Sequence, residues 1–137
     1  MKKSIKILFF LTFLLFLIIL YFNKSQNPFS LFQITSGSMM PEIQVGEIVI
    51  LIRKQEYKEN DIITYQVNNS YFVTHRIVKL KEEGYITKGD ANNIEDKEIV
   101  KKQDVKGKVI FHSKVLGKVF KYKFYIAIIL IIFLILL

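Results

Sequence analysis

The middle of this chain predicts a small, mainly β domain, an antiparallel barrel or sandwich of short strands. Three observations carry that prediction. Residues 71–80 alternate, with Phe72, Thr74, Arg76 and Val78 on one side and Tyr71, Val73, His75 and Ile77 on the other. That is the period of a half-buried strand. Other short runs are rich in Ile, Val and Tyr and bounded by Gly or Asn. No repeat, low-complexity tract or long helical periodicity competes with them in the polar region.

In chain order, residues 5–22 come first, apolar apart from Lys6 and Thr12 and preceded by Lys2 and Lys3. At ~1.5 Å per residue this run reaches roughly 27 Å, near the hydrocarbon thickness of about 30 Å, so a membrane anchor is expected. It exceeds the roughly 7–15 apolar residues of a cleaved signal, and no Ala-x-Ala-like site follows it. The leading lysines favour a cytoplasmic N-terminus and an exported middle. Strands are predicted at residues 47–52, 61–67 and 71–80, with Asn68-Asn69-Ser70 as the hairpin turn between the last two. Residues 85–88 and 105–112 are further strands, the latter with Gly107 as a bulge or kink. Residues 124–137 carry no polar side chain, and Lys121 and Lys123 before them can snorkel to the interface. A second spanning helix is expected there, with an interfacial or hairpin segment as the alternative. The predicted organisation is an anchor at 1–22, an extracytoplasmic β domain at 23–122 and a transmembrane segment at 123–137. The core of so short a domain is thin.

Charge and composition narrow the class. The chain carries 20 basic and 12 acidic residues, a net charge of +8. Its lysines are scattered rather than gathered on one stripe, which argues against nucleic-acid binding. The basic domain is instead mildly attracted to anionic lipid headgroups. With no cysteine there is neither a disulfide nor thiol catalysis.

Three groups of residues can carry chemistry. Ser36-Gly37-Ser38-Met39-Met40-Pro41 places two serines about a flexible glycine, shortly after the first apolar run. A serine hydroxyl is a poor nucleophile at neutral pH and needs a positioned base and an oxyanion stabiliser. His75 and His112 are the chain's two histidines; either could be a packed strand residue. Asp90 and Asp96 lie in the polar turn Gly89-Asp90-Ala91-Asn92-Asn93-Ile94-Glu95-Asp96, which by itself reads as a solvated loop. A calcium loop is excluded, because the twelfth position from Asp90 is Lys101 rather than a bidentate glutamate. No metal and no cofactor are expected.

The ordered set Ser-Gly-Ser-Met-x-Pro, Gly-Glu-Ile-Val, His-Arg-Ile and Lys-Gly-Asp-x-Asn-Asn resembles type I signal peptidases of the ER type, a group also found in archaea and some Gram-positive bacteria. The resemblance runs from about Ile34 to Gly117. Asn60-Asp61-Ile62-Ile63 departs from it by lacking the glycine usual in the second strand motif. The resemblance implies Ser38 as nucleophile, His75 as the base where ordinary bacterial signal peptidases use lysine, Asp96 orienting that base, and Asp90 as a second required carboxylate that braces the loop. It implies an oxyanion hole from the Ser36 hydroxyl and the Ser38 backbone N–H. The implied activity is a membrane-bound serine endopeptidase. It removes signal peptides from exported precursor proteins after small residues at the first and third positions before the cut. The implied partners are those signal peptides and the lipid bilayer. Two rivals stay open: a non-catalytic, membrane-anchored β scaffold or assembly module, and an autoprocessing serine protease of the repressor-cleavage kind, which would use a lysine base.

Overall fold

The structure, a computed structural model, describes residues 6–15, 28–68 and 70–122 and the single positions 125, 129 and 133. Among the described residues seven strands form one sheet: β1 (Phe29–Gln33), β2 (Ile48–Ile52), β3 (Ile62–Val67), β4 (Tyr71–Lys81), β5 (Gly84–Lys88), β6 (Val100–Lys101) and β7 (Val105–Ser113). Every pairing is antiparallel, in the order β1-β2-β7-β3-β4-β5-β6. The antiparallel β class is as the sequence predicts, but the expected barrel or sandwich is not: the single sheet stays open, with β1 and β6 as its ends. β6 has two residues and meets β5 only through Gly84 and Tyr85, too short a rim for β1 to pair with.

The alternation of residues 71–80 makes β4 the longest strand. It turns back from β3 through Asn68, whose φ of 46° suits the left-handed region that Asn tolerates, and Ser70 N–H donates to the Val67 carbonyl at 2.9 Å. Gly107 lies where the β3–β7 pairing slips, between Thr64↔Gly107 and Tyr65↔Val105, a bulge. A Cβ there would stand 2.8 Å from the Ile52 carbonyl oxygen of neighbouring β2. Asn60, in the motif that lacks the usual glycine, has φ 70°; asparagine fills a left-handed position that glycine takes more easily.

Successive residues of β3 feed two apolar clusters on opposite faces. Ile63 and Tyr65 join Tyr57, Ile77, Tyr85, Val100 and Val105. Ile62 packs against Ile34, Met39, Ile43, Val49 and Leu51. Fully buried side chains such as Ile63, Ile77, Val49 and Leu51 contribute roughly 1.5–3 kcal/mol each. The second cluster takes in Met39 and Ile43, and so ties the serine loop to the sheet.

After β7, Ser113 caps the helix Lys114–Lys121, its Oγ accepting from Leu116 N–H at 3.3 Å. Residues 6–15 are helical, with Phe9 and Phe10 well exposed. Among the described residues no helix is long and apolar enough to cross a membrane. The rest of the anchor expected over 5–22 lies outside the described residues, as does all of 124–137 except positions 125, 129 and 133.

Candidate active site

Ser38 sits in a tight turn between β1 and β2. Met40 N–H donates to the Gly37 carbonyl at 3.0 Å and Ile43 N–H to the Met39 carbonyl at 2.9 Å. Met39 and Ile43 are buried, whereas Ser36 is exposed and Ser38 half-buried. The apolar residues after Ser38 pin the turn to the core, so the hydroxyl is presented at the surface from a rigid base. The stem is closed by Ile34 N–H to the Glu47 carbonyl (2.9 Å) and Gly46 N–H to the Ile34 carbonyl (2.8 Å).

His75 comes from the middle of β4 and is nearly buried. Its Nε2 lies 3.1 Å from Ser38 Oγ and its Nδ1 2.6 Å from Asp96 Oδ2. An ionised carboxylate only accepts, so the Nδ1 atom carries the proton and Nε2 offers its lone pair to the serine hydroxyl. In this arrangement an imidazole can take the serine proton while the carboxylate fixes the tautomer.

Asp90, six residues earlier on the same turn, points elsewhere. Arg76 Nε and a terminal nitrogen donate to its two oxygens at 2.8 and 2.7 Å, a bidentate pair, and Arg76 also donates to the Asn60 carbonyl at 3.0 Å. The Asp90 hydrogen bonds, ahead of its negative charge, hold the Arg76 guanidinium above its ordinary pKa against the opposing effect of burial. The turn bears directly on the serine: Ala91 N–H donates to the Ser38 carbonyl at 2.9 Å. At Gly89 a Cβ would lie 2.6 Å from that same carbonyl oxygen. The glycine of the Gly-Asp pair is thus explained by a close backbone approach.

Ser36 Oγ lies 3.4 Å from Ser38 Oγ, a long contact between two hydroxyls. Both serines line a cleft of about 450 Å³ with Phe32, Ile34, Met39, Phe72, Thr74 and His75. Across it, the Phe32 and Phe72 rings meet edge to face at 4.7 Å. Among the described residues β1 pairs only with β2, and residues 71–75 of β4 pair only with β3. Each therefore presents backbone groups that an extended chain could satisfy.

His112 is remote from this cluster. Its Nδ1 lies 2.6 Å from Glu47 Oε2, a carboxylate with 9% side-chain exposure.

Two residues at the site escaped the sequence reading as participants, although Thr87 directly precedes the Lys-Gly-Asp motif. Thr87 Oγ1 donates to Asp96 Oδ2 at 2.6 Å, and the Tyr65 hydroxyl donates to the same oxygen at 3.2 Å. Their positions on the inward side of β3 and β5 were the available signal, since a polar group buried on a strand needs a partner.

The family described as Peptidase S24-like matches residues 14–110. Signal peptidase I W of Bacillus subtilis is 33% identical over 85 residues, covering 57% of this chain and 45% of that protein. Signal peptidase complex catalytic subunit SEC11 of Colletotrichum graminicola is 29% identical over 110 residues, covering 69% of this chain and 64% of its own length. The protein of that name from Lodderomyces elongisporus is 33% identical over 69 residues, or 46% and 42% of the two chains. The chain thus spans between 42% and 64% of these relatives' lengths.

Proposed function

The chain belongs to the Peptidase S24-like family, and from that premise we propose that it is a membrane-bound serine endopeptidase that removes signal peptides from exported precursors. The observation that carries this reading is the continuous chain of contacts from Ser38 Oγ to His75 Nε2 (3.1 Å) and from His75 Nδ1 to Asp96 Oδ2 (2.6 Å). Ser38 attacks the scissile carbonyl as His75 takes its proton. The bond to the mature chain then breaks as the imidazolium returns that proton to the leaving amine. Water repeats the cycle on the acyl-enzyme and frees Ser38. The Ser38 backbone N–H and the Ser36 hydroxyl are assigned to the oxyanion, where one donor changes kcat by about 10²–10³-fold. Asp90 braces the turn through Arg76.

The substrate lies extended in the cleft, paired with the backbone of residues 30–33 of β1 and 71–75 of β4, so that backbone hydrogen bonds give affinity independent of sequence. Met39, Phe32 and Phe72 narrow the cleft, which favours small side chains at the first and third positions before the cut. The apolar run over 5–22 anchors the enzyme, residues 23–122 form the extracytoplasmic catalytic domain, and 123–137 return the chain through the bilayer. The exposed Phe9, Phe10, Leu11 and Phe13 of the helical stretch, and Tyr125, Ile129 and Phe133 at four-residue spacing, support burial in lipid. A histidine at the base position favours this reading over the lysine-dependent autoprocessing rival.

The test is cleavage of a defined precursor by membranes carrying the wild-type or the Ser38→Ala chain. Cleavage should fall at least ~10⁴-fold with the variant still inserted. Cleavage near the wild-type rate would leave the scaffold reading standing instead.

A further inference from the structure

We propose that Thr87 and Tyr65 act as a positioning pair that aims the Asp96 carboxylate at His75, an inference that rests on the function proposed above. Asp96 Oδ2 accepts from three donors: His75 Nδ1 at 2.6 Å, Thr87 Oγ1 at 2.6 Å and the Tyr65 hydroxyl at 3.2 Å. Asp96 is only half-buried and lies in the loop between β5 and β6, so its side chain has rotamers that would swing it into solvent. Its backbone is tied to the same residue, with Asp96 N–H donating to the Thr87 carbonyl at 2.8 Å.

Proton counting orders the network. Thr87 has one hydroxyl proton, and at 2.6 Å that proton belongs to Asp96. The oxygen of Thr87 is then free to accept, and the Tyr65 hydroxyl lies 3.1 Å from it. The single Tyr65 proton is therefore shared between Thr87 Oγ1 and Asp96 Oδ2. It turns the threonine so that its own proton must face the carboxylate. Both positioning side chains are fixed by the sheet: Thr87 has no exposed surface on β5, and the Tyr65 ring is part of the cluster with Tyr57 and Ile77. Burial, with the nearby Asp96 charge, raises the Tyr65 phenol well above its ordinary value, so it remains a donor at any working pH. The rigid strands β3 and β5 thereby set the direction of a carboxylate carried on a turn.

The test uses the full-length chain in lipid vesicles with a defined precursor. Thr87→Val keeps the shape and removes the donor. It should lower kcat about 10–100-fold, the range for a hydrogen bond to a charged group, with KM unchanged. Thr87→Ser should recover most of the loss, and Tyr65→Phe should cost less than Thr87→Val. In proton NMR the low-field His75 Nδ1–H resonance should move or broaden in Thr87→Val while the backbone amide pattern is kept. Should Thr87→Val fail to fold, Tyr65→Phe decides by the same two readouts. Wild-type kcat, a loss that serine does not recover, or an unmoved resonance overturns the proposal. An enzyme that needs Ser38 but tolerates both changes sinks this inference alone; one that cleaves without Ser38 sinks the functional reading.

Discussion

Asp90 and Asp96 share one loop and have similar side-chain exposure, 18% and 24%, yet they meet opposite chemistry. Asp96 receives a ring nitrogen and two hydroxyls; Asp90 receives a guanidinium on both oxygens. The sorting is done by two adjacent residues of β4. Because side chains alternate along a strand, His75 and Arg76 leave β4 on opposite faces, and the turn wraps past the strand so that each aspartate reaches one of them. A permanent cation makes a brace. An imidazole, which can lose and regain a proton, makes a base. The contrast teaches that the two acids are not interchangeable, although nothing in their side chains differs.

The strongest way to break the comparison is Asp96→Asn. An amide at this position offers His75 Nδ1 a donor, which turns the imidazole to the wrong tautomer. Activity should fall about 10⁴-fold with little change in melting temperature, as measured by precursor cleavage and circular dichroism. An equal loss of stability would mean that Asp96 is a brace like its neighbour.

Asp90→Asn should act the other way round, chiefly through stability. It leaves Arg76 without its anion and should cost about 1–3 kcal/mol in denaturant unfolding. Activity should fall by less than in Asp96→Asn, through the displaced Ser38 carbonyl. Arg76→Lys should not substitute, since an ammonium cannot form the two parallel bonds. Wild-type stability in both variants would show that the ion pair holds nothing.

The other histidine offers a sharper control. His112→Ala should leave kcat unchanged but lower stability by about 1–2 kcal/mol, because the buried Glu47 carboxylate loses its 2.6 Å partner. Loss of cleavage in a well-folded His112→Ala enzyme would place catalytic chemistry at the wrong histidine.

The smallest expected effect belongs to a third aspartate, away from the turn. Burial alone would raise the Asp61 pKa, but hydrogen bonds from Lys108 and the Lys58 backbone, with the charges of Lys108 and Lys54, bring it below its ordinary value. The unfolded chain therefore binds this proton more readily, so the stabilisation is full above the ordinary carboxylate range and lost as pH falls through the lowered value. Melting temperatures between about pH 5 and pH 2 should fall less steeply in Asp61→Asn than in the wild type. Parallel curves would remove Asp61 from the acid limb.

What the sequence determined by itself follows from short-range physics. Alternation over 71–80 reads as a strand because period two is intrinsic to the extended backbone, and β4 spans Tyr71–Lys81. Asn-Asn-Ser reads as a turn because Asn tolerates a left-handed φ, as Asn68 has. The order of Ser38, His75, Asp90 and Asp96 named the candidates, since each stands in a recognisable local word. Only the tertiary structure decided the rest. β1 has no alternation of its own; it is a strand because Phe29–Gln33 pairs with Ile52–Ile48 of β2. β6 is two residues defined by its partner. The openness of the sheet depends on how far those two ends reach, which no local pattern encodes. Tyr65 and Thr87 lie 22 residues apart, and Tyr65 lies 31 from Asp96. They converge only because the register of β3, β4 and β5 puts them on one face, and register is a property of the assembled sheet rather than of any strand.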